Sequence, residues 1–284
     1  MNAPPMLDNT RTLVLTGASR GIGHATVKKF SASGWRVITV SRQPFSVLCP
    51  WPGGEKNHVQ VDLADLQDVG RGIGEIRARL GGGRLDALVN NAGTGFLGPV
   101  EEAGDDEAHR MFEVNVFGPM RLAVAAVPIM RGQGRGRIIN VTSLNDVFPA
   151  PFGGWYSASK AALASLSTVL DAEVHGFGIS VSVIAPGLFR TEMADTLDSF
   201  AVADGSPYRR TFEALTAQQT DRIETAGDPD LVAAAIEHCI HAPEPPARTV
   251  VGEDAKAMQK LVHDAAPDDF ARMLRAYVAD LDPR

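Results

Sequence analysis

Tyr156 and Lys160 stand four residues apart in the run Tyr156-Ser157-Ala158-Ser159-Lys160. On a helix that spacing places both on one face. An ammonium beside a phenol favours the phenolate, so the pair predicts a tyrosine acid/base whose pKa is lowered toward useful proton transfer. Ser143 lies upstream, just past a β-rich run. From a strand end its hydroxyl could bond a carbonyl oxygen beside Tyr156. Taken singly, Ser143 also reads as a turn residue, and a Tyr-x-x-x-Lys pair arises by chance.

A second cluster is Thr16-Gly17-Ala18-Ser19-Arg20-Gly21-Ile22-Gly23. Glycines let a backbone turn tightly and approach a ligand without a Cβ in the way. A helix that starts there offers free N–H groups and a positive dipole end to a phosphate. Between a strand and a helix this loop fits a dinucleotide site; alone it would be only a tight turn. An NAD site places Asp or Glu at the end of the next strand. Here that strand ends Val40-Ser41-Arg42. Ser41, Arg42 and the Arg20 of the loop suit a phosphate better than a bare ribose, which predicts NADP(H).

The surrounding chain alternates strand and helix. Strands are expected near 13–16, 35–40, 58–61, 85–90, 137–141, 179–184 and 249–251. Helices are expected near 22–33, 65–80, 106–130, 155–177 and from 229, with a short one near 208–218. Pro128 should kink or end the third helix. The first strands are continuously apolar, the mark of a sheet buried on both faces. The expected fold is α/β: a Rossmann-type doubly wound parallel sheet of about seven strands, with helices on both faces in three αβα layers. Residues 1–10 read as a flexible arm and 11–252 as a single dinucleotide-binding and catalytic domain, with a substrate lid around 188–226. Residues 253–284 read as a C-terminal helical extension of it.

Composition fits a globular protein. Of 284 residues 44% are apolar and 21% charged, and the formal net charge is −7. An acidic chain is a poor partner for nucleic acid or an anionic membrane. Two cysteines, Cys49 and Cys239, make neither a disulfide framework nor a cysteine-rich zinc site, so no metal is expected and a cytoplasmic location is. No apolar run approaches a membrane span, and the N-terminus lacks a signal pattern.

Together the motifs resemble the short-chain dehydrogenase/reductase family. They stand as TGASRGIG (16–23), VDLAD (61–65), NNAG (90–93), Asn115 in EVNVFG, Ser143 in NVTS, YSASK (156–160) and PGLFRT (186–191). The resemblance implies Tyr156 as acid in reduction and base in oxidation, and Lys160 as the holder of the nicotinamide ribose. It implies Ser143 as the group orienting the substrate oxygen, and Asn115 at a helix distortion with a water linking Lys160 to solvent. For the cofactor it implies Gly17, Ser19, Arg20, Gly21, Ile22 and Gly23 at the phosphates, Ser41 and Arg42 at the adenosine end, and Asp62 with Leu63 at the adenine. Asn91, Ala92 and Gly93 would line the cleft, and Pro186, Gly187, Phe189 and Thr191 would bracket the carboxamide. Residue by residue, Asp62 could instead cap a helix.

Phe96, Asn145, Phe148, Phe152, Leu188 and Met193 are the expected substrate pocket, with Trp155 nearer the core and Leu197 in the lid. They point to a hydrophobic carbonyl or secondary alcohol. The C-terminal part resembles the 17β-hydroxysteroid- and retinol-dehydrogenase-like branch, which adds steroid-, retinoid- or polyketide-like candidates. The small and apolar residues of the helix from 155 suggest a homodimer or homotetramer. Two other readings are a non-catalytic NADP(H)-binding regulator and an epimerase or dehydratase. The intact Asn115, Ser143, Tyr156 and Lys160 set weighs against the first. The second usually needs a larger substrate domain.

Overall fold

The computed structural model describes residues 10–45, 51, 53–190, 198–199, 202–203, 205–224 and 226–282, without the side chains of 198, 199 and 219–224. In chain order it runs β1 (Thr12–Thr16), α1 (Gly21–Ala32), β2 (Arg36–Ser41), β3 (His58–Gln60), α2 (Leu66–Leu80), β4 (Ala87–Asn90), β5 (Phe96–Leu97) and α3 (Asp105–Phe112). Then come α4 (Gly118–Gln133), β6 (Gly136–Val141), α5 (Gly154–Val174), β7 (Ile179–Pro186), β8 (Asp198–Ser199), α6 (Arg209–Glu224), α7 (Pro229–His241), β9 (Arg248–Val251), α8 (Glu253–Asp264) and α9 (Pro267–Leu281).

Seven strands form one parallel sheet in the order β3-β2-β1-β4-β6-β7-β9. The Rossmann-type architecture expected from the alternation is therefore present. Strands β1 and β4 are buried at every residue, as their continuous apolar runs require. One face packs against α2, α4 and α5 through Val69, Ile76, Leu122, Met130 and Val174. The other packs against α1 and α7 through Val27, Phe30, Val232 and Ile236.

Local chemistry sets the element ends. The Asp65 carboxylate accepts from the backbone N–H of Gln67 and Asp68 and starts α2, and Gly81 at φ 58° ends it. Asp228 starts α7 by accepting from the Asp230 N–H, with Pro229 in the first turn. α1 differs: its N-cap residue, Arg20, makes no side-chain cap and its first turn holds no acid.

Two sequence expectations change and one pairing is new. Pro128 neither ends nor delimits its helix: α4 continues to Gln133 and stops at left-handed Gly134. The helix expected over 208–218 runs to Glu224. Periodicity missed a small parallel pairing of Phe96 and Leu97 with 198 and 199, because two-residue strands carry no period.

Helices α3 and α4 are continuous through a π turn over Glu113–Phe117. The 29-residue stretch Asp105–Gln133 is, by length and composition, apolar enough to cross a membrane. Sequence reading overlooked it because charged residues break the run. Half of its apolar window is buried inside the fold, as in a core helix.

Candidate active site

The carboxyl ends of β1, β4, β6 and β7 meet along one edge of the sheet, and the motif residues gather there. Thr16, at the end of β1, accepts through its hydroxyl from the backbone N–H of Asn91 and of Ala92, at 3.0 and 2.9 Å. The Asn91 side-chain amide donates to the carbonyls of Thr16 and Gly17 at 3.1 and 3.2 Å. The two loops are thereby laced together. Gly17 has φ 71°, and a Cβ there would stand 2.8 Å from the Cα of Ala92. A Cβ on Gly23 would run into the Gly17 carbonyl. This is a cradle open only to backbone, facing an uncapped helix start that carries Gly21 and Ile22, so it fits a pyrophosphate.

Ser19, Arg20 and Arg42 are exposed beside that loop. Ser41 is half-buried and donates to the Gln43 carbonyl at 2.7 Å. Asp62 does not cap α2; Asp65 does. Instead, Asp62 Oδ1 accepts from Ala64 N–H at 2.9 Å, and its Oδ2 faces Arg110 at 3.6 Å. Leu63 is buried in the core beneath Gly118, and Gly93 is half-buried between β4 and β5.

Ser143 starts a short 3-10 turn (Leu144–Asp146), and its Oγ accepts from the Asn145 N–H at 3.2 Å. That hydroxyl also shares a hydrogen bond with Tyr156. Lys160 is 2% exposed, donates to the Val141 carbonyl at 3.1 Å, and lies 5.8 Å from the Tyr156 ring centre. Asn115, fully buried in the π turn, accepts from Thr94 N–H at 2.9 Å. It donates to the Thr94 carbonyl at 2.8 Å and to Ser159 Oγ at 3.0 Å. Ser159 in turn donates to the Tyr156 carbonyl at 2.7 Å. The Asn115 amide therefore bears on α5 directly under the tyrosine.

The expected lowering of the Tyr156 pKa is not what the fold produces. Burial raises it, the Ser143 hydrogen bond lowers it, and the Asp146 carboxylate raises it. Burial is the largest cause, because an anionic phenolate loses its water. Lys160 is pulled by burial down to about 8, against an upward push from Asp146. At neutral pH the pair holds a phenol and an ammonium. It can therefore give a proton to a developing alkoxide.

Pro186 ends β7, and Gly187 N–H bonds the Val251 carbonyl at 2.8 Å. Leu188 is 37% exposed, and its N–H donates to Asp254 Oδ2 at 2.8 Å. Phe189 sends its ring into the core, 6% exposed against Gly227, leaving its backbone at the loop. Thr191, Met193 and Leu197 lie outside the described residues. Phe96 is buried in β5.

Phe148 and Phe152 are half-buried in the loop after Ser143. Phe148 meets Phe270 of α9 edge to face at 5.5 Å. Phe152 meets Tyr208 at 6.2 Å and Phe212 of α6 at 5.6 Å. Its φ of 61° is the one left-handed non-glycine value among the described residues. Such strain persists only where the surroundings enforce it. Trp155 turns away toward Phe112 and the Val100 carbonyl. Sequence reading missed Phe212, Phe270, Asp254, Asp146 and Arg248. None sits in a motif; Phe270 alone carried a signal, as an aromatic on the apolar stripe of the last helix.

The short chain dehydrogenase family model matches residues 11–201. Protein FixR of Bradyrhizobium diazoefficiens is 43% identical over 211 residues, spanning 70% of this chain and 74% of its own. A 3-ketodihydrosphingosine reductase of Bacteroides thetaiotaomicron is 34% identical, over 94% of this chain and 97% of its own. Among solved structures, a short-chain dehydrogenase/reductase family oxidoreductase of Brucella ovis, in complex with a partially ordered NAD, is 35% identical. It covers 86% of this chain and all of that one, with a TM-score of 0.66. A match over that much of the sequence, on a sheet of this order, means that the chain belongs to the short-chain dehydrogenase/reductase family of oxidoreductases.

Proposed function

We propose that the protein is an NADP(H)-dependent oxidoreductase that interconverts an apolar ketone and its secondary alcohol. The observation that carries this is the Tyr156 hydroxyl, bonded to Ser143 and backed by the buried Lys160. When bound, the nicotinamide supplies or accepts the hydride. The chain does the rest. In reduction Ser143 Oγ–H donates to the substrate oxygen and stabilises its growing negative charge. Tyr156 passes its phenolic proton to that oxygen as the hydride arrives at carbon. Lys160 holds the nicotinamide ribose hydroxyls and offsets the phenolate charge left behind. Asn115 keeps α5 in register through Ser159. Oxidation runs the same steps backward.

Gly17, Ser19, Gly21, Ile22 and Gly23 take the pyrophosphate, Asp62 and Leu63 the adenine, and Asn91, Ala92 and Gly93 the ribose side of the cleft. Pro186, Gly187, the backbone of Phe189, and Thr191 take the carboxamide. Arg42 and Arg20, with Ser41, read the 2′-phosphate; no carboxylate ends β2 to hold a free ribose. The −7 charge and two cysteines favour a cytoplasmic protein. Phe148 and Phe152, covered by Phe270 and Phe212, favour an apolar substrate, with Phe96, Asn145, Leu188 and Met193 around the reacting end. The sphingoid-base relative fits a long-chain ketone. Val124 on α4 and Leu166 and Val169 on α5 are 62%, 42% and 53% exposed, which supports a homodimer or homotetramer through these helices.

Four outcomes follow. Tyr156→Phe should lower turnover by about a thousand-fold or more while NADPH still binds; turnover near the wild-type rate removes Tyr156 as the acid. Arg42→Ala should weaken NADPH roughly ten-fold or more in a nicotinamide-fluorescence titration and spare NADH; equal losses refute the phosphate contact. Phe270→Ala should raise KM for a long-chain ketone about three- to ten-fold with kcat little changed; an unchanged KM takes Phe270 out of the pocket. Sedimentation velocity should show a dimer or tetramer; a monomer at micromolar concentration rejects the assembly.

A further inference from the structure

The turn that carries Ser143 ends in a carboxylate that the reaction as described does not use. The Asp146 side chain has no exposed surface. Its Oδ1 accepts from Arg248 Nη2 at 2.5 Å; its Oδ2 accepts from Arg248 Nη1 at 2.9 Å and from Thr142 Oγ1 at 2.7 Å. Its backbone N–H bonds the Ser143 carbonyl at 3.1 Å. Arg248 opens β9, opposite Val183 of β7, and is 102 residues away in sequence. A fork-to-fork pair with a third donor gives both oxygens of a buried carboxylate their partners. Yet a buried ion pair is a weak way to gain stability, because apolar residues of the same volume do as well or better. Its place against Ser143 and α5 gives the charge another use.

We propose that Asp146 is a positioning residue for the Ser143–Tyr156–Lys160 set, and that Arg248 on the last strand is its anchor. This rests on the function proposed above. The pair fixes the turn that aims Ser143 at Tyr156. It also sets a negative charge beside two proton carriers. Asp146 raises the pKa of both Tyr156 and Lys160. On Tyr156 it works with burial, and on Lys160 against it. Both effects keep the protons in place, so the site waits loaded for reduction. Among the described residues, the other charged groups around the turn are few. Arg248 comes from β9, and α8 brings Glu253 and Asp254. Glu253 is paired with Lys256 at 2.7 Å, and Asp254 accepts from Leu188 N–H. β7, which also packs on the turn, carries no titratable side chain.

The test reads Lys160 without turnover. Lysine ε-carbon resonances of the full chain are titrated by NMR, the Lys160 signal being the one lost in Lys160→Arg. The wild-type midpoint should lie at about 8. In Asp146→Asn it should fall by about half a unit or more, the scale of a partly compensated charge a few ångströms away. Asp146→Glu, which keeps the charge, should return most of that shift. An unchanged midpoint in Asp146→Asn, or an equal fall in Asn and Glu, makes the pair a strut and overturns the proposal. If Asp146→Asn does not fold, the double variant Asp146→Asn/Arg248→Gln carries the measurement, with a lower midpoint again expected and an unchanged one fatal. With NADPH and a ketone, the alkaline limb of kcat should also lie at lower pH in Asp146→Asn than in the wild-type enzyme. Wild-type protein that reduces no ketone would sink the proposed function, while the lysine titration would still judge the pair.

Discussion

Lys160 holds its ammonium in a site only 2% exposed, and burial there draws its pKa down to about 8. Isolating a charge in this way costs several kcal/mol unless neighbouring groups compensate it. Much of the site can be understood as that compensation. The Val141 carbonyl at the end of β6 accepts one ammonium proton. The Asp146 carboxylate supplies an opposing charge. The helix that delivers the lysine must therefore meet β6 at a fixed depth, and the same depth puts Tyr156 against Ser143.

The sheet and the π turn secure that depth from two sides. β6 is held between β4 and β7 by continuous parallel pairing, so Val141, Thr142 and Ser143 leave the sheet at one place. A buried link from the Asn90 amide to Asn140, and from Asn140 to Ser167 on α5, joins strand and helix lower down. Above it, the π turn brings Asn115 to Ser159. An α-helix fits one residue fewer per turn here, and the extra residue re-aims the side chain. Burial is the largest influence on the proton affinities, trimmed by Ser143 and Asp146, and hydrogen bonds set the geometry in which they are useful.

What the sequence disclosed follows from distance along the chain. The glycine loop, the start of α7 at Asp228-Pro229 and the Tyr156–Lys160 face depend on residues within a turn or two, so type and spacing announce them, whereas the cap of α2 falls at Asp65 and not at Asp62. The central strands β1 and β4 were legible because their runs are mostly apolar and buried at every residue. The Asp146–Arg248 pair spans 102 residues, and neither member is unusual for its neighbourhood. Phe148 and Phe270 each carried a local signal, but their meeting is made only by the fold. The direction of the Tyr156 shift was misjudged because a local pair predicts an effect of charge, whereas burial is a property of the whole fold. Pro128 does not end α4 because the core-facing side of that helix, with Leu122, Ala126, Val127 and Met130 buried around it, outweighs the loss of one helical hydrogen bond.

The strand order also has a temporal side. β9 closes one edge of the sheet, and among the described strands it is the last to leave the ribosome. Arg248 is its first residue. A nascent chain can lay down β1 to β7 and seat its glycine loop while still tethered, but the Asp146 carboxylate has no fork to hold it until the final segment arrives. Phe148 finds Phe270 later still. A polypeptide cut short near residue 247 would keep every motif by which the family is known and yet lack the strand that clamps its catalytic turn.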